Sequence, residues 1–369
     1  MKLAFLSNYF NHHQRSFAEE MSKRCDFTFI ESGYMPKERK EFGYQDEARP
    51  EYVKHLRDSK EECLRIIDDA DVVIFGSAPD EIVKKLAKEK KLIFKYSERI
   101  YKEKPKWYEM PIRAIKYGKE NKNFYLLCAS AYTASDYAKT GTFKKKSFKW
   151  GYFPECKKYE SIDTLISQKQ KNSILWCGRI IDWKHPEYAV KLAKRLKDDG
   201  YDFTLSIVGD GTRLGELIQL SYELGVEENV QLLGSMSPDK VREKMEQSEI
   251  FIATSDRKEG WGAVINEAMN SGCAVVASNE MGSSPYLIKN GENGLLYFDN
   301  NENQLYENVK SILDNGEIRV KYSKNAYRTI TEEWNGAIAA ERILQLSNAI
   351  MNGKNGLDCF EAGICSSAR

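Results

Sequence analysis

The sequence predicts an α/β protein made of two doubly wound parallel sheets facing one another across a cleft. Three observations carry that expectation. Short runs rich in Val, Ile, Leu and Phe alternate with amphipathic helical stretches almost from end to end, and such alternation builds parallel sheets covered on both faces. The rhythm falls into two series, joined through the polar stretch 154–172. At 369 residues the chain has length for about two domains, each able to bury its own core.

In the first series, residues 2–6 (KLAFL), 26–30 (DFTFI), 71–76 (DVVIFG), 92–96 (LIFKY) and 124–128 (FYLLC) read as buried strands, with an amphipathic helix over 80–90. The second series places strands at 173–178, 203–208, 230–233, 249–253 and 274–277, separated by helices over 186–199, 213–224 and 238–247. The expected domains are therefore 1–168 and 169–334. A helix over 335–352 follows, and the tail 353–369 fits neither pattern, reading as disordered or as an addition to the natural chain.

Composition excludes several classes. Lys and Arg number 56 against 55 Asp and Glu, so no whole-chain field points to nucleic acid. Residues 1–168 nevertheless hold 33 basic and 26 acidic residues, and the remainder 23 and 29; this reads either as two domains with different partners or as drift in surface charge. No apolar run approaches the ~20 residues of a membrane span, and the apolar opening of MKLAFLSNYF is too short for a signal peptide. Eight cysteines without a CxxC pair indicate neither a disulfide framework nor a zinc site. A cytoplasmic protein with reduced thiols is expected.

Ligands of doubly wound sheets sit at the carboxyl ends of the strands, so chemistry is sought there. Strand 173–178 ends in Gly178-Arg179, with Lys184 five residues on and His185-Pro186 opening a helix. Two cations beside a helix N-terminus suit a diphosphate; alone they would read as solvated charges. Strand 203–208 ends in Gly209-Asp210-Gly211, a turn that admits another backbone segment closely. After strand 249–253 comes Glu259-Gly260-Trp261-Gly262-Ala263-Val264-Ile265-Asn266-Glu267. Its glycines let backbone N–H groups approach ligand hydroxyls, and a carboxylate inside a helix starting near Gly262 can accept both hydrogen bonds of a vicinal diol such as ribose. No strand is followed by GxGxxG with an acidic residue ~20 positions on, which sets aside a dinucleotide-dependent dehydrogenase.

These motifs, with Gly272-Cys273-Ala274-Val275-Val276-Ala277 and Asn290-Gly291-Glu292-Asn293-Gly294-Leu295-Leu296, occur in the order and spacing of glycosyltransferase family 4, which the chain resembles strongly over 173–335 and only in architecture over 1–150. The resemblance implies the GT-B fold of two facing Rossmann-like domains and retaining transfer from a nucleoside-diphosphate sugar. By the same resemblance, Arg179 and Lys184 grip the donor diphosphate, Glu267 takes the ribose, and Glu259 lies by the donor sugar, whose hydroxyls the backbone of Gly260, Trp261 and Gly262 would hold. Ser235 and Met236 fall where family members touch the base, and the helix 335–352 would cross back to the N-terminal domain. No metal or other cofactor is implied, because protein cations and helix dipoles take its place; the absence of Asp-x-Asp from a strand-end loop fits.

The chain also departs from the family pattern. The loop after the first strand lacks the usual paired glycines and reads Ser7-Asn8-Tyr9-Phe10-Asn11-His12-His13-Gln14-Arg15, and the histidine common after the strand aligned with 92–96 is replaced by Tyr96-Ser97-Glu98-Arg99. Either His12 or His13 takes that histidine's place in space, or Glu98 makes the polar contact with the sugar; a surface pair or helix cap is the plainer reading of the histidines. Tyr286 stands where relatives commonly place Glu. Basic and aromatic residues interleave over 99–117 and 143–150, which suits either a peripheral seat on an anionic bilayer surface, at the inner face of the plasma membrane, or a solvated face with a domain interface.

The expected function is transfer of a hexose-type sugar from a nucleotide donor to a glycan or lipid-linked acceptor, in bacterial envelope or capsular polysaccharide assembly. The alternatives are a nucleotide-sugar epimerase or hydrolase on the same fold, and a non-catalytic glycan-binding subunit, against which the intact Arg179, Lys184, Glu259 and Glu267 argue.

Overall fold

The computed structural model describes residues 1–34, 49–103, 108, 110–112, 114 and 124–368. They form two compact units, the first comprising Met1–Glu155 with Trp334–Arg369 and the second Cys156–Glu333. The expected boundary at 168 moves to 155 because the intervening residues are bonded into the second unit. Lys157 N–H donates to Asn270 Oδ1 (2.8 Å) and its carbonyl accepts from Asn270 Nδ2 (3.0 Å). Tyr159 N–H donates to the Tyr327 hydroxyl (3.0 Å).

The first unit carries a seven-stranded parallel sheet. Its strands are β1 (Lys2–Ser7), β2 (Asp26–Glu31), β3 (Val53–His55), β4 (Val72–Phe75), β5 (Leu92–Ser97), β6 (Phe124–Cys128) and β7 (Ser147–Lys149), in the order 3-2-1-4-5-6-7. Leu3 to Leu6 and Val72 to Phe75 are wholly buried, as apolar runs must be when helices cover both faces of a sheet. Helix α1 (His12–Arg24) follows β1, capped by Asn11, whose side chain accepts from His13 N–H (3.0 Å). Asn11 therefore fills the cap role that the histidine pair could have taken. Helices α2 (Lys60–Asp69), α3 (Asp80–Leu86) and α4 (Thr133–Ala138) complete the described crossovers.

The second unit opens with α5 (Ile162–Ser167). Its six parallel strands are β8 (Gln170–Cys177), β9 (Thr204–Val208), β10 (Val230–Leu232), β11 (Ser248–Ala253), β12 (Ala274–Ser278) and β13 (Leu295–Tyr297), ordered 10-9-8-11-12-13. Its helices are α6 (Pro186–Asp198), α7 (Leu214–Glu223), α8 (Pro238–Gln247), α9 (Val264–Asn270), α10 (Ser284–Leu287), α11 (Glu302–Asp314) and α12 (Gly316–Arg328). In both sheets the order reverses beside the first strand, between β1 and β4 and between β8 and β11. Crossovers leave such a point in opposite directions, opening a crevice at the carboxyl ends of the strands.

The last helix, α13 (Gly336–Met351), packs on α1 of the first unit. A Cβ on Gly336 would stand 2.5 Å from Ser16 Oγ and 2.6 Å from Phe17 N, so glycine sets that approach. The tail corrects the expectation of disorder. Lys149 N–H donates to the Ser366 carbonyl, Cys365 N–H to the Lys149 carbonyl (both 2.8 Å) and Ala368 N–H to the Ser147 carbonyl (3.0 Å), with an antiparallel bridge between Phe148 and Ser367. Residues 365–368 thus cover the open edge of β7, and Ile364, Cys365 and Ala368 are buried.

The basic and aromatic surface also needs correction. Phe143, Phe148 and Trp150 are buried, 4% or less exposed, and Trp150 packs edge-on against Phe17 and Phe153. Their rings are spent on the core, so over 143–150 only the lysines face outward. Much of the companion stretch 99–117 lies outside the described residues. Among the described residues no helix is long and apolar enough to cross a membrane, and none of the eight cysteines forms a disulfide.

Candidate functional site

Three loops of the second unit converge at its topological switch point. The first leaves β8 through Gly178 and runs close beside the turn after β9. Ile180 N–H donates to the Asp210 carbonyl (2.8 Å) and Gly178 N–H to the Val208 carbonyl (3.0 Å). The contact is backbone against backbone: a Cβ on Gly209 would lie 1.9 Å from Gly178 O, and one on Gly211 2.3 Å from Ile180 O. The Gly-Asp-Gly turn therefore does what its sequence predicts, admitting another main chain. Gly209 N–H in turn donates to the Gly234 carbonyl (2.8 Å), which brings exposed Ser235 and half-buried Met236 to the neighbouring strand end.

Beyond Ile180 the loop makes a 3-10 turn, Asp182–Lys184, and His185 takes the left-handed conformation (φ 47°, ψ 52°) immediately before Pro186 starts α6. That conformation costs a residue with a Cβ roughly 1–2 kcal/mol, so its surroundings must hold it. They do: His185 Nδ1 lies 2.9 Å from Glu187 Oε1, Nε2 lies 3.6 Å from Asp256 Oδ2, and the ring stacks on Tyr188. The hydrogen bond with Glu187 and the charges of Glu187 and Asp256 outweigh burial and raise the imidazole above its ordinary range. Arg213 ties Glu187 (3.0 Å) to Glu216 (2.9 Å) and Asp182 (3.3 Å).

The predicted cations differ in state. Arg179 is exposed and lies over the Trp183 ring at 5.5 Å; among the described residues no carboxylate pairs with it. Lys184 is mostly buried and forms an ion pair with Glu259, which comes from the loop after β11. A second link joins the same loops, since the Thr254 hydroxyl donates to the Lys184 carbonyl (2.6 Å) while accepting from Trp176 Nε1–H (2.7 Å). Asp256 N–H donates to the Trp183 carbonyl (2.9 Å).

From Glu259 the chain passes through Gly260-Trp261-Gly262 into α9. Trp261 is buried and its Nε1–H donates to Asn266 Oδ1 (2.8 Å), a bond that rigidifies the loop from below. Gly262 has φ +88° and a Cβ there would sit 2.5 Å from Met281 Cε. Among the described residues the N–H groups of Gly260, Gly262, Ala263 and Val264 find no acceptor, as the first residues of a helix leave them. The helix begins at Val264 rather than Gly262, which puts Glu267 in its first turn. Its half-buried carboxyl receives no hydrogen bond among the described residues, and burial pushes it up to about 7 against a weaker opposing pull from Arg242. Cys177, closing β8, feels the charges of both Glu267 and Lys184, and Lys184 pairs with Glu259, so these three belong to one neighbourhood; Arg179 stands on the same loop as Lys184, over Trp183. Tyr286 stands beside Trp261, ring centres 6.3 Å apart.

Other motif residues are structural. Asn293 is buried, its Nδ2 donating to the Leu287 carbonyl (2.8 Å) and Thr329 Oγ1 (2.9 Å). Gly272, at φ +66°, ends α9, and the Cys273 thiol donates to the Met245 carbonyl (3.1 Å).

On the first unit, the three acceptor-side candidates are neighbours. His12 and His13 have ring centres 3.7 Å apart, His13 stacks on Tyr152, and the Tyr152 hydroxyl donates to Glu98. They gather at the carboxyl ends of β1 and β5. Sequence reasoning missed Tyr152, which joins them, and His185 and Asp256 on the second unit. A histidine where the backbone turns left-handed directly after Lys184 is a signal visible only once that turn is known.

Comparison with known proteins accords with this architecture. Residues 158–329, within the second unit, match the model of the glycosyl transferases group 1 family. Among curated relatives, an N-acetylgalactosamine-N,N′-diacetylbacillosaminyl-diphospho-undecaprenol 4-alpha-N-acetylgalactosaminyltransferase of Campylobacter jejuni is 33% identical over 154 residues, 42% of this chain and 40% of that protein. An uncharacterized glycosyltransferase of Methanocaldococcus jannaschii is 29% identical over 206 residues, 54% and 51% of the two chains. The chain thus spans about half or less of these relatives' length. In fold, the chain matches the crystal structure of Anabaena HepE in complex with UDP at TM-score 0.71, covering 95% of this chain and 100% of that one at 15% identity. The fold is of the GT-B class.

Proposed function

We propose that this protein is a retaining glycosyltransferase that moves a hexose-type sugar from a nucleoside diphosphate to a glycan or lipid-linked acceptor, in bacterial envelope or capsular polysaccharide assembly. One observation carries the reading. Two cations and two carboxylates, Arg179, Lys184, Glu259 and Glu267, meet at the crevice where an open α/β sheet binds its ligand, and unpaired helix-opening N–H groups stand beside them. The Anabaena relative was solved with UDP, and the Campylobacter relative is named for a diphospho-undecaprenol acceptor, which supports both ends of the reaction.

In this reading Arg179 and Lys184 hold the donor diphosphate and stabilise the charge that grows on it as the glycosidic bond breaks. Stabilisation by fixed cations raises rate only where charge is larger in the transition state than in the bound donor, which is so for a departing diphosphate. Glu267 accepts the ribose hydroxyls, Ser235 and Met236 border the base, and the N–H groups around Gly260 and Gly262 receive sugar hydroxyls. Glu259 leaves Lys184 to the diphosphate and lines the sugar, while the acceptor hydroxyl attacks from the face the diphosphate vacates and gives its proton to the departing diphosphate. No metal is assigned a role, since protein cations supply the charge.

The test is transfer from a panel of UDP-, GDP-, ADP- and dTDP-sugars to polyprenyl-diphosphate-linked saccharides, with the anomeric configuration of the product read by NMR. Retained configuration with dependence on Arg179 and Lys184 supports the reading. Donor hydrolysis unaffected by acceptor, or an inverted product, overturns it.

A further inference from the structure

Lys184 and Glu259 come from different loops, and what aligns those loops is open to inspection. His185 stands between them. Its two nitrogens face carboxylates on separate elements, Glu187 of its own helix at 2.9 Å and Asp256 of the β11 loop at 3.6 Å. A neutral imidazole has one N–H; with it given to Glu187, the Nε2 lone pair would face the Asp256 carboxylate. Only the imidazolium satisfies both. The residue also holds a left-handed backbone that glycine would take freely, so the position favours an imidazole over the easier residue.

We propose that His185 is a positioning residue whose protonated ring ties the Lys184 loop to the Glu259 loop, so that the donor site is assembled while the ring is charged and loosened when it is not. The inference rests on the glycosyltransferase reading of the site. The groups facing the ring are Glu187 and Tyr188 on α6 and Asp256 after β11; Arg213 and Asp182 act on it through Glu187, and Lys184 precedes it in the chain. Glu280 and Glu302 lie farther out, their charges reaching Tyr188. Carboxylates outnumber cations around it, which favours the imidazolium, and its raised titration agrees. Loss of the proton with rising pH leaves Asp256 facing a lone pair, and the loop that carries Glu259 loses one of its ties.

Two measurements test the bridge and separate it from the reading beneath it. The first is NMR titration of the His185 ring in the ligand-free full chain, in wild type and Asp256→Asn. A lower midpoint in the variant is expected, and an unchanged midpoint overturns the bridge whether or not a nucleotide binds. The second is binding of UDP, GDP and ADP across pH ~5.5 to ~9, in wild type and in His185→Gly, which suits the backbone. At the acid end the variant is expected to bind about tenfold more weakly, as loss of one charge-assisted contact implies. The ratio should shrink towards one at the alkaline end. A ratio independent of pH, or equal binding throughout, overturns the proposal. If no nucleotide binds either protein yet Asp256→Asn lowers the midpoint, the bridge stands and the donor reading fails.

Discussion

Lys184 and Glu259, 75 positions apart, form an ion pair across the switch point of the second sheet. The lysine proposed to hold a diphosphate is thus held by an internal carboxylate, which keeps a mostly buried ammonium compensated. Removing either partner leaves a charge in a partly desolvated place, so Lys184→Ala is expected to lower stability by about 1–3 kcal/mol, read from denaturant midpoints. The two variants should part company on ligand. Lys184→Ala loses stabilisation by nucleoside diphosphates, whereas Glu259→Ala, which frees the ammonium, keeps or strengthens it while transfer falls.

Glu267 titrates near neutrality, because burial raises its carboxyl to about 7. The folded value lies above that of the unfolded chain, so the native state binds this proton more tightly. Stability is therefore lost as pH rises from the ordinary carboxyl range through 7, by on the order of 1–2 kcal/mol. Glu267→Gln should remove that slope and be the more stable protein at pH ~8, as thermal melts at several pH values would show. It should also bind nucleotide more weakly, since a ribose diol donates better to a carboxylate than to an amide. A Glu267→Gln protein with wild-type nucleotide affinity would remove the ribose role.

Much of this fold is legible in the sequence. Parallel strands buried on both faces are short apolar runs, and each of the ten runs singled out lies on a strand. The strands Val53–His55, Ser147–Lys149 and Leu295–Tyr297 have three residues each, too few for a pattern; all three sit at sheet edges, and neighbours rather than propensity define them. The position of Arg179, Lys184, Glu259 and Glu267 in the segments that follow β8 and β11 is legible from the strand pattern alone; their roles belong to the proposal. The Lys184–Glu259 pairing and the two carboxylates on His185 are not legible there, since they depend on how two loops approach in space. The tail hid its place because it docks through main-chain hydrogen bonds, which any sequence can make. Phe148 and Trp150 resembled a surface patch because burial of a ring on a short edge strand leaves no trace in composition.

The close passage of the Gly178–Ile180 loop along Gly209 and Gly211 is a second constraint. Gly211→Ala places a methyl where the Ile180 carbonyl stands, 2.3 Å away, and backbone cannot yield as a side chain can. A loss of about 2–4 kcal/mol is expected, with nucleotide binding impaired because the Arg179 loop shifts. A variant with unchanged melting and binding would show that the two loops do not touch.

Residues 365–368 shield the edge of β7, and Arg342 holds the tail by donating to the Ala362 (2.6 Å) and Ile364 (3.0 Å) carbonyls. Removing residues 360–369 uncovers backbone groups of β7 and loses a buried isoleucine worth about 1.5–3 kcal/mol. Lower stability and concentration-dependent association through the bared edge are expected, measured by thermal melting and light scattering. The same melt and a monomeric scattering profile after truncation would make the tail dispensable.

In the proposed function Arg179 and Lys184 clamp the donor diphosphate. The most direct test of that clamp is a thermal-shift titration of wild type, Lys184→Ala and Arg179→Ala with UDP, GDP, ADP and dTDP and their sugars. At ~100-fold saturation a bound ligand adds about 2.7 kcal/mol to native stability, a plain rise in melting temperature. One nucleotide class is expected to stabilise the wild type and neither variant. Equal stabilisation of all three proteins would contradict the clamp.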